Sequence, residues 1–296
     1  MNNIKNKLLV LFSLPVIIFT SCENNDYEEP QSFTDLFITM SSGANVIRDS
    51  QVDQYFSFSD VSAGVLVTKW TIPENTFFLD GPIPNNLPKH DSYIKEPISN
   101  ISNDKTVHIL FKKGNSDTKI KYYGEFADST SYIYETFDFI LNAPVRDTIQ
   151  TINVNGKWIA EHEFSLDVYD TVVAKPEIRY LNGTILDYEN VSNVTLNTGD
   201  KLVIEDLSNV LPNNNARPDN ATFRVVTNED DESDQVTIRS RTLQRDGDLS
   251  KRLIDTITFN TVGDFKLELI ARRERTETLK ASNDTFVVPT IFKVIQ

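Results

Sequence analysis

The chain has 296 residues, with 43 acidic against 29 basic side chains, a formal net charge of −14. Its 39% hydrophobic and 10% aromatic content is enough for ordinary cores, so disorder of the whole chain is excluded. The acid excess excludes nucleic acid as a partner, and a single cysteine excludes both an internal disulfide framework and a cysteine-rich zinc module.

Lys5 and Lys7 precede an apolar run, Leu8–Phe19, that is too short to span a bilayer and is interrupted by Pro15. The pattern predicts a secretory signal peptide. Phe19-Thr20-Ser21-Cys22 follows directly and resembles the lipobox of bacterial lipoproteins. The resemblance implies a signal peptide over 1–21, cleavage before Cys22 and lipidation of the Cys22 sulfur, since several acyl chains are needed for stable anchoring. An acidic tether, 22–32, includes Glu23-Asn24-Asn25-Asp26-Tyr27-Glu28-Glu29. It resembles the tract that directs Bacteroidota lipoproteins to the outer face of the outer membrane, and implies an anchored protein facing the cell exterior.

From Phe33 onward, short runs rich in Val, Ile, Thr, Phe and Tyr alternate with Asn, Asp, Gly and Pro clusters. This predicts an all-β chain of tandem immunoglobulin-like β-sandwiches. Phe56–Ser62 lines up with Leu202–Ser208, and Thr106–Gly114 with Thr256–Gly263, at similar internal spacing. Phe259, Gly263, Phe265, Leu267 and Leu269, with a looser set at Phe111, Gly114, Ile120 and Tyr122, resemble the closing pattern of PKD-type domains. Trp70 matches the family's tryptophan, and Phe223 takes its place in the second unit. The Gly-Asp-Gly turn of that family is absent; Pro73-Glu74-Asn75 stands there instead. The reading is a first sandwich over 33–145, a second over 176–296, and a segment 146–175 that either adds strands to the first or forms a connecting hairpin. Within that segment, alternation from Trp158 through Ala160, His162, Phe164 and Leu166 to Val168 predicts one core-facing side. Glu161 and Glu163 fall on the other.

Three features bear on function. Pro73–Asp104 reads as a long, proline-stiffened loop carrying Phe77, Phe78, His90 and Tyr93. Phe77, Phe78 and Tyr93 are candidate ligand-binding residues if their rings face outward to stack on sugars, and a packing cap if they face inward. The acidic run Glu229–Asp234 offers hard oxygen ligands but lacks the glycine-punctuated spacing of a calcium loop, and reads as a solvated tip. Asp-Ser-Thr at 128–130, Asp-Thr-Ile at 147–149 and 255–257 and Asp-Thr-Val at 170–172 resemble the O-glycosylation tripeptide of Bacteroidota envelope proteins. Candidate acceptors are Ser129, Thr148, Thr171 and Thr256. No phosphate loop, nucleophile elbow or metalloprotease helix motif occurs in the sequence, so no catalytic residue, metal or cofactor is assigned. The expectation is a non-catalytic surface lipoprotein that binds glycan for a polysaccharide-capture system. An adhesion or spacer module contacting a surface protein is the alternative, and a glycosidase a remote third.

Overall fold

The computed structural model describes residues 33–296 apart from 42–48, 85, 86, 88, 139, 140, 142 and 230. Cys22 and the acidic tether lie outside the described residues. The first sandwich uses β1 (Ile38–Met40), β2 (Asp49–Gln51), β3 (Tyr55–Asp60), β4 (Val65–Thr71), β5 (Thr76–Leu79), β6 (Ile101–Ser102), β7 (Thr106–Phe111) and β8 (Asn115–Phe126). It continues with β9 (Ser131–Asp138), β10 (Ala143–Gln150), β11 (Ile152–Val154) and β12 (Lys157–Tyr169). One sheet is ordered β1-β3-β7-β5; the other is β11-β12-β8-β4-β6, with β2 added in parallel to β12. The β9–β10 hairpin sets Tyr132 against Phe37 and Tyr134 against His162.

The second sandwich comprises β13 (Pro176–Tyr180), β14 (Asn193–Asn197), β15 (Lys201–Asp206), β16 (Asn220–Thr227), β17 (Thr237–Gln244), β18 (Leu253–Thr258), β19 (Gly263–Arg273), β20 (Ser282–Val287) and β21 (Ile291–Ile295). Its sheets are β13-β15-β18 and β14-β21-β19-β16-β17, with β20 paired to β19. In both sandwiches an early strand pairs in parallel with the last: β2 with β12, β14 with β21. The topology is immunoglobulin-like in both units.

The internal repeat corresponds strand for strand. β3 and β15 carry the first matched segment, β7 and β18 the second. Trp70 on β4 and Phe223 on β16 are each 0% exposed at the centre of their cores. The repeated Asp-x-Ser has a physical reason. Asp60 Oδ1 accepts the Ser62 N–H at 3.0 Å and Asp206 Oδ1 the Ser208 N–H at 2.9 Å, which fixes the turn leaving each strand. The second carboxylate oxygen ties the turn to the core, through the Tyr122 and Thr68 hydroxyls at Asp60 and through Arg245 at Asp206. Phe265, Leu267 and Leu269 all point inward, as the alternation after Gly263 requires.

Residues 146–175 do not stand apart. β12 pairs with β8 from Trp158↔Phe126 to Leu166↔Thr118, so of the two alternatives for this segment its strands up to Tyr169 add to the first sandwich. Ala160, Phe164, Leu166 and Val168 are buried, Trp158 and His162 half-buried, and Glu161 and Glu163 exposed on the opposite side. Position 145 falls inside β10.

The joint between the sandwiches is polar and closely fitted. The Arg217 and Arg273 guanidinium groups lie 4.8 and 5.0 Å from the centre of the Tyr169 ring, a geometry favourable for cation–π attraction. Arg217 also donates to both oxygens of Asp167. Buried Arg273 donates to the carbonyls of Asp170 and Ala216. The Asp170 carboxylate accepts the backbone N–H groups of Gly114 and Asn215, each at 2.7 Å. The connecting backbone is held too: Val172 N–H donates to Ser282 Oγ and Ala174 N–H to Asp284 Oδ2.

Candidate functional site

The Pro73–Asp104 stretch is not one open loop. Thr76–Leu79 forms β5, antiparallel to β7 with Phe77 opposite Leu110 and Phe78 opposite Ile109. Strand alternation therefore sends the two phenylalanines to opposite faces. Phe78 is 4% exposed and belongs to the first core. Phe77 is half-buried on the other side, and Tyr93 is half-buried in a short 3₁₀ turn, Asp91–Tyr93. Of the two readings, outward stacking and inward packing, Phe78 follows the inward one, while Phe77 and Tyr93 are each half-buried. The reason lies in sequence. Thr-Phe-Phe-Leu is a strong strand former, and a neighbouring strand with unpaired backbone groups was available to take it.

Beyond β5, Tyr93–Lys95 runs back along its outer edge, and Ile101–Ser102 belongs to the other sheet as β6 beside β4. Lys95 N–H donates to the Phe78 carbonyl and Asp80 N–H to that of Tyr93. His90 is buried edge-on to Tyr55 at 5.0 Å, its Nδ1 3.2 Å from the Asp53 carbonyl. His108 bonds the Ser57 hydroxyl at 2.7 Å, and burial holds its imidazolium pKa below the ordinary value. Lys112 bridges Asp53 and Asp91 at the edge. The cluster reads as a satellite core that fastens the loop, not as a basin open to a ligand.

Two depressions among the described residues are large enough to consider. One, of about 530 Å³, lies against the joint and draws on three segments: Glu74 and Asn75, Lys113 to Ser116, and Asn213 to Asn215. It is polar and has no aromatic wall. The other, of about 440 Å³, lies on the outer face of β4, β8 and β12 around Tyr123, Lys121, Glu161 and Glu163. The Lys69 ammonium sits 4.6 Å from the centre of the Tyr123 ring, over one of its faces. No cluster of His, Cys, Asp and Glu able to hold a metal ion occurs among the described residues. Asp231 in the acidic run caps its own turn, accepting from the Ser233 N–H and hydroxyl. Ser129, Thr148, Thr171 and Thr256 are all solvent-exposed.

Sequence reasoning missed the Arg-carboxylate clusters of the second sandwich. Glu205 is buried and held by Arg179 and Arg252. Asp255, also buried, is held by Arg239 and Arg241 reaching over from β17. For Asp255 the signal was the alternating pair Arg239 and Arg241, two residues apart and so on one side of β17.

No family model matches the chain, and no curated protein does. Among solved structures, the Bacillus anthracis TIE protein is similar over 90% of this chain and 59% of its own, at 9% identity and a TM-score of 0.25. CfaE, the adhesive subunit of the CFA/I fimbria of enterotoxigenic Escherichia coli, is similar over 83% of this chain and 80% of its own, at 7% identity and a TM-score of 0.23. Salmonella alpha-2-macroglobulin reacted with methylamine is similar over 87% of this chain and 17% of its own, at 10% identity and a TM-score of 0.20. This chain therefore spans only about 59% of the Bacillus protein and a small part of the macroglobulin. These likenesses are loose; the fold assignment rests on the strand pairing.

Proposed function

We propose that the chain is a non-catalytic, lipid-anchored surface module that makes protein contacts, its two sandwiches acting as a spaced adhesion unit of the Bacteroidota lipoprotein kind. The observation that carries this over glycan capture is the placement of the aromatic residues. Phe78 is in the core, Phe77 and Tyr93 are half-buried on different segments, and Lys69 lies over one face of the Tyr123 ring. A sugar-stacking platform needs several open ring faces side by side, and these four residues supply no such row: Phe78 is buried and the other three are each half-buried. The anchor reading rests on Phe19–Cys22 and the outward address on the acidic tract after it.

The deciding experiment pairs two measurements. A glycan array probed with residues 33–296 should give no hit, while photo-cross-linking on intact cells should give a discrete protein adduct. A reproducible array hit lost in Phe77→Ala would overturn the proposal in favour of glycan capture. Palmitate-analogue labelling tests the anchor: it should vanish in Cys22→Ala, and equal labelling would remove that part.

A further inference from the structure

The two sandwiches close the same side differently. In the first, β5 lies beside β7 as the fourth strand of its sheet. In the second, β18 is the counterpart of β7, and among the described residues no strand lies beyond it. The opposite sheet is extended instead by β17, whose Arg239 and Arg241 cross to Asp255 on β18. Beneath that overhang is a slot of about 240 Å³ walled by Val225, Ile238, Thr258, Phe259 and Phe265. Val225, Phe259 and Phe265 are core residues, while Ile238 is 47% exposed at the mouth.

The backbone of β18 is open on the same side. Phe259 N–H donates to the Asp200 carbonyl, toward β15. In a strand, alternate residues direct their N–H and C=O to opposite neighbours. Ile254, Thr256 and Thr258 therefore direct theirs away from β15, where no backbone partner lies among the described residues. An unpaired edge of this kind is a template for an added strand.

We propose that the β18 edge and its slot accept an extended segment of a partner protein, added antiparallel as a fourth strand, as β5 is added to β7. The proposal rests on the protein-contact reading above and names the partner's chemistry. The chain supplies its own template: in Glu74-Asn75-Thr76-Phe77-Phe78-Leu79-Asp80, Phe78 fills the core and acids stand at both ends. The rim of the slot carries Arg239, Arg241 shares the Asp255 carboxylate with it, and Arg252 lies just before the strand, in a chain that is otherwise strongly acidic. A segment with an apolar inward residue and acidic flanks meets both the slot and the rim.

The test uses the chain from Glu23 onward and a fluorescent peptide with the sequence of Glu74–Asp80, titrated by anisotropy. Saturable binding is expected, weakened at least tenfold by Thr256→Pro, by Ile238→Lys and by Phe78→Asp in the peptide. Thr256→Pro removes an N–H that faces outward, and Ile238→Lys alters an exposed mouth residue, so both variants should keep the wild-type circular dichroism and melting temperature. Absence of saturation into the millimolar range, or equal binding by both protein variants, overturns the proposal. Peptide binding is independent of the glycan array. A failed titration with a silent array removes the edge site alone, and an array hit lost in Phe77→Ala removes the contact reading alone.

Discussion

Arg245 and Asp206 face each other 2.7 Å apart with side chains 1% and 0% exposed, and a further Arg245 N–H donates to the Pro218 carbonyl. A buried pair is weak evidence for stability in itself, but stranding one member costs about 3–5 kcal/mol. Arg245→Met should therefore destabilise the protein by that order, and Arg245→Met combined with Asp206→Leu should recover much of the loss. A double-mutant cycle by urea denaturation measures the coupling. Gly263 is the other residue with a sharp requirement. Its φ is +149°, and an added Cβ would lie 3.3 Å from the Phe265 ring. Gly263→Val should cost about 1–3 kcal/mol, read as a fall in melting temperature, and an unchanged melt would refute the strain. Gly263 was legible because it closes a repeated pattern of alternating apolar residues. Phe78 was not, because an aromatic side chain in a proline-rich stretch looks the same whether it faces core or solvent.

At the scale of strands, β3, β7, β15 and β18 were readable from the sequence because alternation and the repeat reinforced each other. β5 was hidden by the prolines on both sides of it, at Pro73, Pro82 and Pro84. Pro289 likewise divides what reads as one run, Thr285–Val294, into β20 and β21. The ion clusters joining strands of the second sandwich give it an acid-sensitive component. Arg252 and then Arg179 hold the Glu205 carboxyl below its ordinary value of 4.5. At Asp255 burial opposes ionisation, but Arg239 and Arg241 outweigh it and keep the carboxyl below 3.8. A carboxylate whose pKa is lowered by folding adds stability above its unfolded pKa and loses it as pH falls through the folded value. Stability should therefore decline below about pH 4.5, and the decline should be shallower in a Glu205→Gln, Asp255→Asn variant. Chemical denaturation between pH 7 and pH 3 gives both slopes; equal slopes would refute the assignment.

At the scale of the whole molecule, the joint was the least legible part, because its residues meet only in the fold. Tyr169, Asn215, Arg217 and Arg273 are separated by up to about a hundred residues, and none belongs to a motif. Gly114 is the tightest point: a Cβ there would lie 2.4 Å from Asp170 Oδ2 and 2.7 Å from its backbone nitrogen. Because backbone must move, Gly114→Ala should loosen the two sandwiches against each other while leaving each core intact. Small-angle scattering should show a broader distribution of particle dimensions with an unchanged β-type circular dichroism spectrum. Identical scattering from variant and wild type would show that the joint yields without opening.

The parallel pairing of early and last strands has a mechanical consequence. The chain enters the first sandwich at the end marked by the Asp35–Ala63 bridge and leaves at the opposite end through Tyr169. Tension between these two ends pulls β2 and β12 along their shared direction, so the pairs Asp49↔Asp167, Ser50↔Val168 and Gln51↔Tyr169 are loaded in shear. Hydrogen bonds loaded that way resist together rather than unzipping one after another. A protein tethered at one end and gripped at the other by a partner under flow would hold its fold through such a clamp.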